Sequence, residues 1–141
     1  MSILDQNILI NGKNENDIIL TINHTIFLVN QQIAEANRLL KKYQGDYVDY
    51  MGYQLNDTFA IEAERDAWCK EVDAMFAEIF NHQKSSVQAS FDLEKGDNSL
   101  SEFSGVYDCI KKKQNILDEF RQALKQLQIR YEKPNQMHII E

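Results

Sequence analysis

The clearest pattern in the chain is a set of apolar residues between Asp17 and Tyr43 that recur at alternating intervals of three and four. This spacing puts one side chain per turn on a single helix face and is typical of a heptad seam. The seam consists of Ile19, Ile22, Ile26, Val29, Ile33, Ala36, Leu40 and Tyr43. Asn16 or Asp17 stands where an N-cap belongs, and Gly45 stands where a helix would end. The sequence therefore predicts a first long helix between these positions.

Two further segments, residues 57–84 and 99–133, repeat the same helical periodicity. The first contains Ile61, Trp68, Val72, Met75 and Ile79 on its core rows, with Phe59, Phe76 and Phe80 beside them. The second contains Phe103, Ile110, Leu117, Leu124 and Tyr131 at intervals of seven, interrupted on the companion row by Lys113 and Gln114. Ser99 and Glu102 have the spacing of a capping box, and Pro134 is expected to end the last helix.

These three segments predict an all-α fold in which the 141 residues form one domain, residues 1–141. One proline and five glycines supply too few turns for a β-sandwich or barrel. The predicted architecture is an antiparallel bundle of three long amphipathic helices. Short apolar runs at residues 7–11 and 87–93 are followed by turn residues and predict a minor two-stranded element.

Charge and composition limit the classes of partner and the cellular location that we expect. The net charge of −7 disfavours direct nucleic-acid binding, because phosphates would be repelled. No sustained apolar run is present and the start of the chain does not resemble a signal peptide, so we expect a cytoplasmic protein without a membrane segment. Cys69 and Cys109 lack metal-ligand spacing and are expected to be reduced, partly buried thiols.

The acidic face of the second helix is the strongest candidate for metal chemistry. Glu62 and Asp66 lie one turn apart, as do Glu78 and His82, and paired carboxylates bind Mg²⁺ in all-α nucleotide pyrophosphohydrolases. Such a site needs a second acid pair, which the third helix lacks. We therefore predict no catalytic residue, no metal site and no cofactor, and the Mg²⁺-dependent hydrolase stands as an alternative.

Two surfaces remain as candidate contacts for a protein partner. Tyrosine buries a large area with few rotatable bonds, and acidic neighbours select a basic partner. The first surface is formed by Tyr47, Tyr50 and Tyr53 with Asp46 and Asp49, and the second by Glu64, Glu71 and Glu78. The alternative for the tyrosines is a structural role, in which their rings cap the end of the bundle.

The functional prediction is a small, non-enzymatic interaction protein, such as an adaptor, inhibitor, chaperone or immunity-type factor, that binds a basic surface of another protein. A second alternative is an acidic nucleic-acid mimic, although Glu64, Glu71 and Glu78 are spaced about 10.5 Å apart along a helix, farther than phosphates along a strand. The heptad seam also suits self-association, so a homodimer competes with a monomer.

Overall fold

The residues that the structure describes form five helices. The computed structural model describes the backbone of residues 1–48 and 55–140 and the side chains of residues 1–44 and 58–132. The helices are α1 (Ile3–Ile10), α2 (Glu15–Val48), α3 (Leu55–Ile79), α4 (Ser86–Leu93) and α5 (Glu102–Ile140). The described backbone contains no strand, which confirms the all-α class. None of the described helices is long and apolar enough to cross a membrane.

The predicted two-stranded element at residues 7–11 and 87–93 is wrong, because both segments belong to short helices, α1 and α4. Ser2 caps α1 by accepting a hydrogen bond from the Asp5 amide at 3.1 Å, and Ser85 caps α4 through the Gln88 amide at 3.1 Å. The apolar alternation in residues 87–93 was misleading, since Phe91 is buried whereas Leu93 is 79% exposed.

The ends of the long helices also differ from those expected. Asn14, rather than Asn16 or Asp17, caps α2 by accepting from the Asp17 amide at 2.8 Å. Ser99, which was expected to cap α5, instead donates a hydrogen bond to Asp97. Ser101 caps α5 by accepting from the Ser104 amide at 3.3 Å. The helix α2 runs through Gly45 to Val48, and α5 continues past Pro134 to Ile140. A glycine weakens a helix by about 1 kcal/mol without ending it.

The apolar seam predicted on α2 is confirmed as the helix face that points to the core, but some of the buried positions differ from the predicted ones. Five of its members are buried: Ile22, Val29, Ile33, Ala36 and Tyr43. Three others are only partly buried, and their neighbours Ile18, Thr25 and Leu39 face the core instead. On α3, Phe59 is 61% exposed, while the other predicted aromatic residues are buried.

Helix α2 packs antiparallel to α5 along a ladder of side-chain hydrogen bonds. The rungs are Asn23 with Gln128 at 2.7 Å, Asn30 with Arg121 at 3.0 Å and Asn37 with Gln114 at 2.5 Å. Each step of seven along α2 is matched by a step of seven backwards along α5, so one rung recurs every two turns.

Helices α3 and α5 run parallel to each other, so the predicted three-helix antiparallel bundle is wrong. Helix α3 is antiparallel to α2, because Lys42 contacts Glu64 near one end and His24 contacts Glu78 near the other. The rings of Phe76 and Phe120, 6.4 Å apart, join α3 to α5. The segment 80–101, which includes α4, carries the chain back along the bundle before α5 begins, and this return makes the two helices parallel.

The centre of the core is a cluster of aromatic side chains, and α4 contributes one member of this cluster. Phe91 of α4 lies edge-on to Trp68, with ring centroids 5.5 Å apart, and to Phe76 at 5.8 Å. The Trp68 indole N–H donates to the Gln32 carbonyl at 3.1 Å, which satisfies its one polar atom. This short helix is therefore an integral part of the core.

Candidate functional site

The tyrosine and aspartate surface lies outside the part of the structure whose side chains are described. Asp46 and Tyr47 belong to the last turn of α2, and Asp49, Tyr50 and Tyr53 follow it. The prediction for these five residues is untested. The adjoining Tyr43 is buried and packs edge-on against Phe103, with ring centroids 6.1 Å apart.

The row of Glu64, Glu71 and Glu78 lies on the flank of α3 that faces α2. Lys42 donates to Glu64 at 2.6 Å, and the His24 imidazole lies 3.4 Å from Glu78. Burial is the largest single effect on Glu64 and opposes its ionisation, but hydrogen bonds from Lys42 and Tyr43, together with the nearby positive charges, outweigh it, so the Glu64 pKa is lowered. Glu71 and Glu78 are exposed, and Glu64 is half-buried. Two of the three carboxylates are thus engaged within the molecule, which weakens the row as a mimic of free phosphates.

The carboxylates proposed for Mg²⁺ do not gather with further ligands. Asp66 accepts from its neighbour Arg65 at 3.1 Å. His82 lies beyond the end of α3 with a φ of 61°, so it does not share a helix face with Glu78. Among the described side chains, no group of three His, Cys, Asp or Glu residues is arranged to hold a metal ion.

A different feature, an open cavity of about 380 Å³, lies between α3, α4 and α5. We call it the α4 cavity. Its lining combines acids, bases and thiols: Arg65, Asp66, Cys69, Asp73, Phe91, Asp92, Lys95, Cys109 and Lys113. This grouping was not predicted from the sequence, because Asp92 and Lys95 were placed in a strand and a turn.

Lys113 is the buried base of this cavity and has a structural partner. Its ammonium group donates to the Phe91 carbonyl and lies 4.2 Å from the centre of the Phe91 ring. That carbonyl belongs to the last turn of α4, where the helix dipole is negative. A lysine that appeared to interrupt an apolar row is therefore the cap of a neighbouring helix.

The opposite end of α4 is held by Asp5, whose residue exposure is 2%. Its two carboxylate oxygens accept from the backbone amides of Ser86 at 2.6 Å and Val87 at 3.0 Å. These amides belong to the first turn, where the dipole is positive and the donors have no intrahelical partner. Asp5 and Lys113 thus clamp α4 with charges that match both ends of its dipole.

The two thiols in the α4 cavity are free. Arg65 forms a hydrogen bond with Cys109, and the positive charge of Lys113 acts on both thiols. Burial raises the pKa of both thiols and exceeds the opposing effect of the neighbouring cations. Both cysteines are therefore protonated at neutral pH and lack the thiolate that a nucleophile requires.

The carboxyl groups of Asp73 on α3 and Asp92 on α4 face each other at the edge of the α4 cavity. Partial burial raises the pKa of Asp73, and the neighbouring Asp92 charge raises it further. Lys113 acts in the opposite direction, but its ammonium group is already committed to Phe91. The pair is thus a like-charge contact between two helices and costs stability at neutral pH.

Comparison of the chain with protein-family models, with curated proteins and with solved structures found no match. The function of the chain is therefore inferred from its own side chains and surfaces.

Proposed function

We propose that the chain is a non-enzymatic protein that binds a basic surface of another protein through the acidic side of α3 and α4. The observation that carries this proposal is the contact between Asp73 and Asp92 at the edge of the α4 cavity. Two carboxylates held together repel each other, and a lysine or arginine from a partner would relieve that repulsion.

The charge distribution along the chain supports a basic partner. Residues 57–108 contain 12 acids and 4 bases, whereas residues 109–141 contain 4 acids and 7 bases. Most of the excess negative charge therefore belongs to α3, α4 and their connections. Such a field accelerates encounter with a basic surface and disfavours acidic partners.

Further contacts are proposed at the two surfaces named from the sequence. Glu71 is exposed on α3, and the tyrosine and aspartate surface begins in the last turn of α2 and continues after it along the sequence. The Mg²⁺-dependent hydrolase and the nucleic-acid mimic are not proposed, because no described contact favours either one.

The test uses the opposite effects expected for folding and binding. Asp73→Asn removes one like charge and should raise the free energy of unfolding at pH 7 by a few tenths of a kcal/mol, since the site is partly solvated. The raised pKa means that protonation of Asp73 favours the folded state, so the contribution of this residue to stability grows as pH falls from about 7 towards 4. The variant should lose that gain, which urea denaturation across this pH range would measure.

The same substitution should weaken binding. A tetralysine peptide titrated into ¹⁵N-labelled protein is expected to shift the amides of Asp73 and Asp92 most, and partner capture should fall with Asp73→Asn. Glu119→Gln removes an exposed charge on α5 and serves as the matched control. Equal shifts around Glu119 and Asp73, or a captured partner retained by the Asp73 variant, would contradict the proposal.

A further inference from the structure

The outward face of α2 differs in composition from the rest of the surface. Residues 18–34 contain no Asp, Glu, Lys or Arg, in a chain that is 26% charged. Seventeen average residues of this chain would carry about four charges. The centres of protein interfaces are depleted in charge in the same way.

Exposed apolar side chains mark the middle of this uncharged face. Leu20 is 65% exposed and Phe27 is 58% exposed, and Ala34 continues the row one heptad later. Val29 and the other buried residues of α2 point in the opposite direction. Helix α3 covers one flank of α2 at Glu64, and α5 covers the other along the ladder of side-chain hydrogen bonds that includes Asn30. Neither helix covers this row, which stays in solvent.

The two ends of the face carry opposite charges. Asp17 lies about 15 Å before Phe27 along the helix, and Arg38 lies about 16 Å after it. Both residues are exposed, and Arg38 also forms an ion pair with Glu35 of its own helix at 2.6 Å. A second copy of α2, turned to run antiparallel about a twofold axis at Phe27, would bring each Asp17 level with the partner's Arg38. A parallel arrangement would set like charges against each other.

We infer that this face binds a second copy of the chain, forming a twofold symmetric dimer in which two α2 helices pack antiparallel through Leu20, Phe27 and Ala34. Twofold symmetry requires a surface that complements itself. An uncharged apolar centre with matched charges at equal distances on either side meets that requirement. The surface is separate from the Asp73 and Asp92 contact, so either proposal can fail without the other.

Sedimentation equilibrium over about 1 to 200 µM tests the association, because a dimer in equilibrium with its monomer depends on concentration. We expect concentration-dependent dimer formation that Phe27→Glu weakens about tenfold or more. The matched control is Phe59→Glu, which places the same charge on an equally exposed aromatic residue of α3. A chain that stays monomeric throughout, or a dimer equally sensitive to both variants, overturns the inference.

Cysteine cross-linking tests the orientation in a Cys69→Ser background. At the twofold axis, Phe27→Cys should form a disulfide with its own copy under mild oxidation. The two copies of Leu20→Cys would lie about 21 Å apart in the antiparallel dimer, far beyond disulfide reach. Efficient self-cross-linking of Leu20→Cys would show a parallel arrangement and overturn the proposed geometry.

The charged ends provide a separate readout. Asp17→Arg and Arg38→Asp should each weaken the dimer, and the double variant should recover most of the loss by restoring the pair with reversed signs. Circular dichroism would check that helix content is unchanged in each variant. Additive losses without recovery would exclude the proposed pairing of Asp17 with Arg38.

Discussion

Replacing Asp5 with alanine provides the most direct test of how α4 is held in place. The substitution removes both acceptors for the Ser86 and Val87 amides, which lie at 2.6 and 3.0 Å from the carboxylate. Helix α4 carries the core residue Phe91, so this loss of support also affects the core.

The expected cost follows from the burial of the site. Each hydrogen bond to a charged group contributes about 1.5 to 3 kcal/mol, and an unsatisfied buried donor costs about 1 to 3 kcal/mol. Water can reach part of the adjoining cavity, which Ser86 and Val87 line, so the lower halves of these ranges apply. We expect Asp5→Ala to lower the free energy of unfolding by about 3 to 4 kcal/mol, a large share of a typical total.

Urea denaturation would measure the loss, and hydrogen exchange would locate it. The amides of Ser86 and Val87 should lose protection in Asp5→Ala before amides in α2 do. Asp5→Asn keeps one acceptor oxygen and should cost about half as much. Because α4 docks as a unit, combining Asp5→Ala with Lys113→Met should cost less than the two separate losses together. A loss below about 1 kcal/mol for Asp5→Ala would refute this account of the clamp.

Two further predictions concern backbone conformation. Gly96→Ala should destabilise the protein by about 2 kcal/mol or more, because the residue has a φ of 82° and its new Cβ would lie 2.7 Å from the Gly105 carbonyl oxygen. The control is Gly105→Ala inside α5, where the new Cβ would lie 3.6 Å from the Asp97 carbonyl oxygen. This variant should be neutral or stabilising by up to about 1 kcal/mol. His82→Gly should raise the midpoint of thermal unfolding and add about 0.5 to 1 kcal/mol, because His82 is exposed and holds a φ of 61°. A lower midpoint for His82→Gly would contradict the strain argument.

The long helices could be predicted because each one repeats its apolar positions over many turns. In α2, Ile22, Val29 and Ala36 all occupy the face that the spacing indicated. The detailed choice between Ile18 and Ile19, or Leu39 and Leu40, depends on how the neighbouring helices cross α2. Periodicity alone does not contain that information.

The short helices could not be predicted because their stabilising contacts are distant in sequence. Eight residues show little periodicity, and α4 depends on Asp5, which precedes it by about eighty positions. Lys113 and Gln114 appeared to break an apolar row for the same reason. The first caps α4, and the second bonds to Asn37 and to the Ile33 carbonyl of α2.

The candidate site was missed through the same error in topology. Asp73 lies on a helix that the sequence predicts, but Asp92 was placed in a strand, so the contact between them was not foreseen. The row of Glu64 and Glu78 was expected to face solvent, and its pairing with Lys42 and His24 depends on the antiparallel packing of α2 and α3.

The two flanks of α2 should respond differently to ionic strength. The flank towards α3 is held by Lys42 with Glu64 and by His24 with Glu78, and added salt screens such exposed pairs. The flank towards α5 is held by amide groups of Asn23 and Asn37, which carry no net charge to screen. Concentrated salt would therefore weaken the polar contacts between α3 and α2 by a few tenths of a kcal/mol, while those between α5 and α2 stay unchanged.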